Sequence, residues 1–521
     1  MQDLPTPTSG AESLVLTLLG GGVDVCFANP GTSEMHFVSA LDRIHKMRCV
    51  LGLFEGVVTG AADGYYRASG RPASTLLHLG PGLSNGLANL HNARKARSGI
   101  VNIVGEHATA HLRFDAPLSS DIPALAKPVS DWLVSSTPGR VSEDAAAAVE
   151  AASGCPGQVA TLILPADASW GPAEAIAPAR PPGGAGVAPA ARVISAARAL
   201  RSGRSAMLLL GGAALRGRAR ELAGRIAAAT GCQLLSEQYN ARSERGAGRV
   251  IIPQLPVPAG PALESLAGVR ELVLVGARAP ISFFAYPGRP SVLTSDDCVI
   301  TQLAEPQHDL EQALQALADE LGATGIAPAG LAERRETENP SGPITPEGLA
   351  AVLAAQIPEN AFIVDEAITT GRVFLPLTTT ARPHDWSSIM GGSLGYGLPV
   401  AIGAAVAARD RKVIALEGDG SAMYTPQALW TMARENLDIT ILVFANRRYQ
   451  VLLSELSNVG AVNPGRRALD VLSIGDPDIQ WTNLARSLGV EAGRAETLED
   501  VCRELGRGLA SSGPYLIEVV L

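Results

Sequence analysis

Lysine is almost missing from this 521-residue chain: Lys46, Lys95, Lys127 and Lys412 are the only four. A P-loop or a Schiff-base enzyme needs a lysine in a set motif, and none of the four stands in one. Cysteine is sparse too. Cys26, Cys49, Cys155, Cys232, Cys298 and Cys502 are scattered without any C-x-x-C spacing, which argues against a thiolate metal centre and suits a reduced, cytoplasmic compartment. Positive charge is in deficit, with 42 Lys and Arg against 51 Asp and Glu, a net charge of −9. No basic cluster offers a track for phosphates, so nucleic acid is not expected as a partner. Long apolar runs are missing as well: none approaches the ~18 residues of a membrane span. The first residues, Met1-Gln-Asp-Leu-Pro5, carry neither the basic nor the apolar region of a signal peptide. These absences leave a soluble, multidomain enzyme as the expectation.

What the chain does have is apolar material, 46% of its residues against 18% charged, enough for several buried cores in a length three to four times a domain of ~150 residues. Two stretches read as linkers. Ala177–Ala190 is APARPPGGAGVAPA, without periodicity, and Thr324–Gly348 combines Pro and Gly with the charged run Glu333–Glu338. They divide the chain into residues 1–176, 191–323 and 343–521, each of domain size. Every segment alternates β-rich apolar runs with helical patterns. In the first, strands at Cys49–Leu53 and Thr75–Leu79 flank a helix from Glu55 to Ser69 closed by Gly70. The second has strands at Ala206–Leu210 and Glu271–Val275 around a helix over Arg218–Thr230. The third has strands at Phe362–Val364, Val413–Leu416, Ile439–Phe444 and Leu516–Val520, and a helix with Thr425 at its N-cap, Pro426 at N1 and Asn436 near its end. Alternation of this kind predicts an α/β protein of three domains, each a mostly parallel sheet flanked by helices.

The strongest chemical signal is in the third segment. Glu417-Gly-Asp-Gly-Ser421 follows one strand, and Ala445-Asn446-Arg447-Arg448 follows the next. In a parallel sheet both turns open onto the same crevice at the carboxyl ends of the strands. One carboxylate and one amide oxygen there suit a hard cation such as Mg²⁺, which takes few protein oxygens alongside ligand phosphates. Gly418 and Gly420 let the backbone approach a diphosphate, and Ser421 adds a hydroxyl.

This stretch, GDGSAMYTPQALWTMARENLDITILVFANRR, resembles the motif of the thiamine diphosphate-dependent enzymes, a GDG followed about two dozen residues later by a paired-Asn turn. Twenty-four residues separate Gly420 from Ala445, which replaces the first Asn of the pair. The resemblance implies Mg²⁺ on Asp419, Asn446 and the backbone carbonyl of Arg448, and a cofactor diphosphate near Gly418, Gly420, Ser421 and Tyr449. It covers nearly the whole chain. Asn29-Pro-Gly-Thr-Ser-Glu34 and Phe54-Glu55-Gly-Val-Val-Thr-Gly60 are similar to the pyrimidine-binding domain of these enzymes. Glu55 matches the glutamate that protonates N1′ of the aminopyrimidine, so that the 4′-imino group can take the proton from C2 of the thiazolium. Gly56, Gly60 and Gly64 recur on one face of its helix, at a cost of roughly 1 kcal/mol each, so another backbone or the cofactor must come close there; in the relatives this helix lies at a dimer interface. Gly392-Ser-Leu394-Gly-Tyr-Gly-Leu-Pro399 resembles the loop whose apolar residue, here Leu394, props the cofactor in its V conformation. Asn85 and Thr369 match further cofactor contacts.

Order and length of the segments are similar to the acetolactate synthase and benzoylformate decarboxylase group. His78 stands where the decarboxylase has a histidine and the synthases a Ser or Thr, and Thr32 where the decarboxylase has a serine for the substrate carboxylate. An imidazole there can relay a proton near C2 after CO₂ departs. Phe284 replaces the decarboxylase's second histidine, and with Val451 and Leu452 it gives an apolar substrate wall. The expectation is a thiamine diphosphate- and Mg²⁺-dependent decarboxylase for a 2-oxo acid larger than pyruvate, with ligation to a carbonyl acceptor as a competing outcome, in a homodimer or dimer of dimers with sites at the interface. An acetolactate synthase-type carboligase is the alternative. An FAD-linked enzyme resembling pyruvate oxidase is another, weakly supported because Leu210-Gly-Gly-Ala-Ala-Leu-Arg-Gly217 is not G-x-G-x-x-G. A degenerate, non-enzymatic subunit is the last, resting on Ala445 and Phe284 and opposed by Glu55.

Overall fold

Ile100–Glu106 and Val159–Pro165 are buried along their whole length, the pattern of strands covered on both faces in the middle of a parallel sheet. The computed structural model describes residues 5–336, 338–461 and 463–521; Met1–Leu4, Val462 and Thr337, the last within the charged run Glu333–Glu338, lie outside them. In chain order the strands are β1 (Val25–Asn29), β2 (Arg48–Leu51), β3 (Ala73–Leu77), β4 (Ile100–Glu106), β5 (Trp132–Ser135), β6 (Val159–Pro165), β7 (Ala206–Leu210), β8 (Gln233–Ser236), β9 (Ser243–Arg245), β10 (Glu271–Val275), β11 (Val299–Ala304), β12 (Phe362–Glu366), β13 (His384–Ser388), β14 (Val413–Gly418), β15 (Ile439–Ala445), β16 (Glu491–Ala495) and β17 (Tyr515–Val520). They form three sheets, of order β2-β1-β3-β4-β6-β5, β11-β10-β7-β8 and β16-β17-β15-β14-β12-β13-β9. All pairs are parallel except β9 with β13. The α/β expectation holds, and β9 adds something the sequence did not suggest: three residues from the middle stretch close the edge of the third sheet.

Two local expectations need correction. Thr425 is not an N-cap. The helix starts at Ala428 and runs to Arg434, because the Thr425 hydroxyl is engaged elsewhere, donating to the Gly395 carbonyl at 3.1 Å. The second presumptive linker ends early: a helix begins at Pro346, with Thr345 Oγ1 accepting the Gly348 N–H at 3.0 Å.

The Glu55–Ser69 helix forms as expected and stops at Gly70, whose φ of 73° breaks the helical path while its N–H bonds Tyr66 O. Its glycine face meets the Gly397–Ala407 helix of the same chain. A Cβ on Gly64 would lie 2.1 Å from Val400 O, and one on Gly403 would lie 1.9 Å from Ala61 O. The largest apolar core is therefore continuous between the first and third units, running from Val57, Ala61 and Leu90 to Val400, Ile402 and Val443. A buried ion pair reinforces the joint: Arg67 binds Asp63 at 2.7 Å and donates to Ser388 O at 2.8 Å.

Candidate active site

β1 and β3 are neighbours, so the turns after them meet at one edge of the first sheet. The turn after β1 becomes a short helical turn, Thr32–Glu34. The turn after β3 places His78 at the N-cap of the Leu79–Ala96 helix. The backbone reverses at Leu79, whose φ of 52° lies in the left-handed region that costs a branched residue about 1–2 kcal/mol. His78 Nδ1 lies 2.8 Å from Glu34 Oε2 and 3.3 Å from Ser33 Oγ. With the carboxylate as acceptor, Nδ1 carries the hydrogen and Nε2 of the neutral ring keeps its lone pair. Glu34 is fixed further by the Gly31 N–H, 2.7 Å from Oε2. Its other oxygen is buried without a partner, in a space that only a glycine at 105 leaves open, since a Cβ there would lie 1.6 Å from it.

Glu55 is buried at the first turn of its helix, and Asn85 Nδ2 donates to its Oε2 at 3.0 Å. Gly82 lies between this carboxyl and the histidine. A Cβ on it would sit 3.2 Å from Glu55 Oε1 and 3.5 Å from the His78 Cβ. Glu55, Asn85 and His78 thus line one site, with the room of a missing side chain between the acid and the imidazole. Thr32 is exposed, and the hydroxyl beside His78 is that of Ser33.

The second cluster sits at the carboxyl ends of β14 and β15, which are paired. Asp419 Oδ1 accepts the Gly420 N–H at 2.9 Å and Oδ2 the Arg447 N–H at 2.6 Å. Burial raises the Asp419 carboxyl above its usual range, against the pull of these N–H groups. Asn446 Oδ1 accepts the Arg448 N–H at 3.1 Å, and Arg448 O accepts the Gln450 N–H at 3.0 Å. Each of these four oxygens retains a lone pair. A carboxylate, an amide oxygen and a carbonyl oxygen fit Mg²⁺, and a positive charge beside Asp419 would offset the burial. Tyr449 lies across Gly420, where a Cβ would come 2.6 Å from its ring. Ser421 Oγ donates to Glu366 O at 3.1 Å and accepts the Gly418 N–H at 3.1 Å, so this hydroxyl shapes the turn. Thr369 stands at the N-cap position of the short Thr370–Val373 turn after β12, without a side-chain capping bond.

Leu394 is held by a residue that sequence reading passed over. The Glu366 carboxylate accepts the N–H groups of Gly395 at 2.8 Å, Tyr396 at 3.3 Å and Gly397 at 2.8 Å. The loop carrying Leu394, with Gly392 and Gly395 at φ 75° and 86°, is thereby tied to the strand next to the Gly418–Ser421 turn. It also reaches the other cluster: Asn89 Nδ2 donates to both Gly56 O at 2.8 Å and Gly395 O at 3.1 Å. Phe283 stacks edge-on to Phe284 at 4.7 Å and would meet a Cβ on Gly392 at 2.8 Å. Tyr286, in the same loop, reaches Glu455 of the Gln450–Asn458 helix, which carries Val451 and Leu452 and buries none of its residues. Phe284 and Leu452 are both largely exposed.

The crevice between β7 and β10, where the order of the middle sheet reverses, does not fit a flavin. Gly211 and Gly276 pack against each other, Leu310 fills the space above Gly276, and the Glu237 carboxylate fills that above Gly211, accepting the Arg278 N–H at 3.0 Å. The carboxyl packed on Gly211 takes the room that a diphosphate would need against that backbone. The FAD-linked alternative loses its site.

Residues 8–124 match the thiamine pyrophosphate enzyme N-terminal TPP binding domain, and residues 370–519 match the C-terminal TPP binding domain. The chain is 51% identical to a Mycobacterium tuberculosis protein named "Putative acetolactate synthase large subunit IlvX", over 98% of this chain and 99% of that one. It is 29% identical to benzoylformate decarboxylase of Pseudomonas aeruginosa, over 96% of each. The fold superimposes on the Rhodococcus jostii RHA1 thiamine diphosphate-dependent 4-hydroxybenzoylformate decarboxylase with a TM-score of 0.83, at 24% identity and 98% coverage of both chains. Two thiamine-binding units in a doubly wound α/β frame define the class of protein. The chain belongs to the thiamine pyrophosphate enzymes, in the group that holds acetolactate synthases and benzoylformate decarboxylases.

Proposed function

We propose that this protein is a thiamine diphosphate- and Mg²⁺-dependent decarboxylase for a 2-oxo acid larger than pyruvate, with carboligation as a competing outcome. The observation that carries this reading is the placement of His78 and Glu55 on either side of Gly82. Thiamine diphosphate, when bound, supplies the electron sink for loss of CO₂. Glu55, with Asn85 on one oxygen, holds a proton for N1′ of the pyrimidine. Asp419, Asn446 and the Arg448 carbonyl hold Mg²⁺, Gly418, Gly420 and Tyr449 border the diphosphate, and Leu394 supports the ring. His78, oriented by Glu34, moves a proton at Nε2, on the side of the ring away from the carboxylate. Phe284, Val451 and Leu452 give the donor an apolar wall, which rewards extra carbon by roughly 1–3 kcal/mol per methylene.

Calorimetry of metal-stripped protein with thiamine diphosphate tests the cofactor: binding is expected with Mg²⁺, and none in either condition ends the proposal. CO₂ release from pyruvate, branched 2-oxo acids and benzoylformate tests the donor. The 51% identity to a protein named as an acetolactate synthase favours one other reading, a carboligase. A strong preference for pyruvate over every larger donor, with a ligated product, would establish that reading instead.

A further inference from the structure

Only two of the six cysteines stand on strands, and those two face each other. Cys26 of β1 and Cys49 of β2 are partners in the parallel register of these strands, while Cys155, Cys232, Cys298 and Cys502 lie outside the sheets. Register partners leave a sheet on the same face. Adjacent strands run about 4.8 Å apart, inside the roughly 4.4–6.8 Å between Cα atoms that a disulfide spans. The edge position of β2, which pairs with β1 alone, lets it shift to close the last gap. In a reducing compartment a pair of this kind serves sensing and not stability.

The two thiols divide the chemistry between them. Cys26 is buried in the core with Leu14, Leu18 and Leu76, whereas Cys49 is exposed, so a dissolved oxidant reaches Cys49 first. The Cys26 thiol beside it lowers the Cys49 thiol from its usual range, against partial desolvation and the Glu435 charge and with some help from Arg434. Cys26 is pushed up, by the Cys49 thiol and then by burial. Access and thiolate character therefore coincide on Cys49, the condition for a reactive cysteine. Both strands lead into the candidate site: β1 ends at Asn29, shortly before Glu34, and β2 at Leu51, shortly before Glu55. The outer end of β2 is also tied to the third unit, by Arg48 to Glu435 at 2.8 Å and by Thr431 Oγ1 donating to Leu51 O at 3.0 Å.

We propose that Cys26 and Cys49 form a reversible disulfide when the protein meets a peroxide, and that the bond slows turnover by drawing β2 toward β1 beneath Glu34 and Glu55. The Cys49 thiolate attacks one oxygen of hydrogen peroxide; the O–O bond breaks, hydroxide leaves, and Cys49 becomes a sulfenic acid. The Cys26 sulfur then attacks the Cys49 sulfur. The S–S bond forms, the S–O bond breaks, and the departing hydroxide takes the Cys26 proton as water. Two thiols and one hydrogen peroxide thus become one disulfide and two waters, and a dithiol reverses the oxidation. A disulfide holds its Cβ atoms about 3.8 Å apart, so the edge strand moves inward and the Glu55 turn moves with it. The effect on turnover rests on the roles proposed above for Glu34 and Glu55; the cross-link does not.

The enzyme saturated with thiamine diphosphate and Mg²⁺ is treated with hydrogen peroxide, alkylated, unfolded, digested with trypsin and mapped by mass spectrometry. A species joining Met1–Arg43 to Cys49–Arg67 is expected, and it should disappear with dithiothreitol. CO₂ release from a 2-oxo acid should fall by about tenfold on oxidation, within the 10²-fold that a misplacement of about 1 Å can cost, and return with dithiothreitol. Cys49→Ser should keep the reduced wild-type rate and resist peroxide. Cys26→Ala should stop at the sulfenic acid of Cys49, trapped by dimedone, and Cys155→Ser should form the linked species as the wild type does. Absence of the linked peptides in the wild type, or a complete link with an undiminished rate, overturns the proposal. Reduced protein that releases CO₂ from none of the acids overturns the functional reading and the effect on turnover with it, while the peptide map still decides the cross-link.

Discussion

Glu55 and His78 make different demands on their surroundings. Glu55 must keep one oxygen for the pyrimidine, and Asn85 bonds the other. Glu55→Gln should therefore still bind cofactor while exchange of the C2 proton, followed by NMR, falls to background; exchange at the wild-type rate would refute the assigned role. His78 is fixed by Glu34 through Nδ1. His78→Ala should lower decarboxylation of a bulky 2-oxo acid by ~10²-fold or more, the scale of a lost acid–base group, with little change in cofactor affinity because the ring lies in the Glu55 cluster and away from Asp419. Glu34→Gln should fall between wild type and His78→Ala, since an amide keeps one acceptor oxygen for the ring but loses its charge. A steady-state comparison of the three at saturating cofactor measures this order.

At the scale of elements, the packing of the Glu55–Ser69 helix on the Gly397–Ala407 helix determines where both cofactor-facing turns begin. Gly64 and Gly403 allow backbone contact there. Gly64→Ala places a methyl group against Val400 O, and the helices must separate or shift. Overpacking of this kind costs typically 1–3 kcal/mol, outweighing the roughly 1 kcal/mol that alanine gains as a helix former. Urea unfolding should show the net loss. At Gly20, where a Cβ meets nothing within 4 Å, alanine should be neutral or stabilising.

For the whole molecule, the stability curve should carry the mark of Asp365. Burial pushes this carboxyl up to about 6, against hydrogen bonds from Ala367 N and Trp386 Nε1. Its unfolded value is about 3.9. A raised folded value means that its contribution is complete below about pH 4 and is lost as pH rises through about 6. Asp365→Asn resembles the protonated form at every pH. The wild type should therefore lose stability relative to the variant between pH 4.5 and pH 7.5, by on the order of 1–3 kcal/mol. Parallel curves in urea titrations at the two pH values would contradict the assignment. Association is the other property of the whole. Phe114 at 62% exposure, Tyr424 at 54% and Val471 at 77% are large side chains left mostly exposed on the two cofactor-binding units of a single chain. A dimer or larger is expected by light scattering at micromolar concentration, and full activity of a monomer at catalytic dilution would contradict it.

The sequence by itself determined the α/β class, the helix from Glu55 to Ser69 and eight of the seventeen strands, because these depend on local periodicity and on caps whose partners are near in the chain. It also determined the Asp419 and Asn446 turns, since a short motif fixes its own backbone. Partners distant in sequence were decided only by tertiary structure. Glu34 is 44 residues from His78 and meets it because β1 and β3 are adjacent. Glu366 reaches the Leu394 loop across 29 residues, and Thr425 gave up its expected N-cap for Gly395. The glycine face of the Glu55 helix announced a close approach, but which helix would fill it depended on how the first and third units pack. The flavin question was decided the same way: Gly211 left it open in sequence, and the Glu237 carboxylate, brought over it by the pairing of β8 with β7, closed the space.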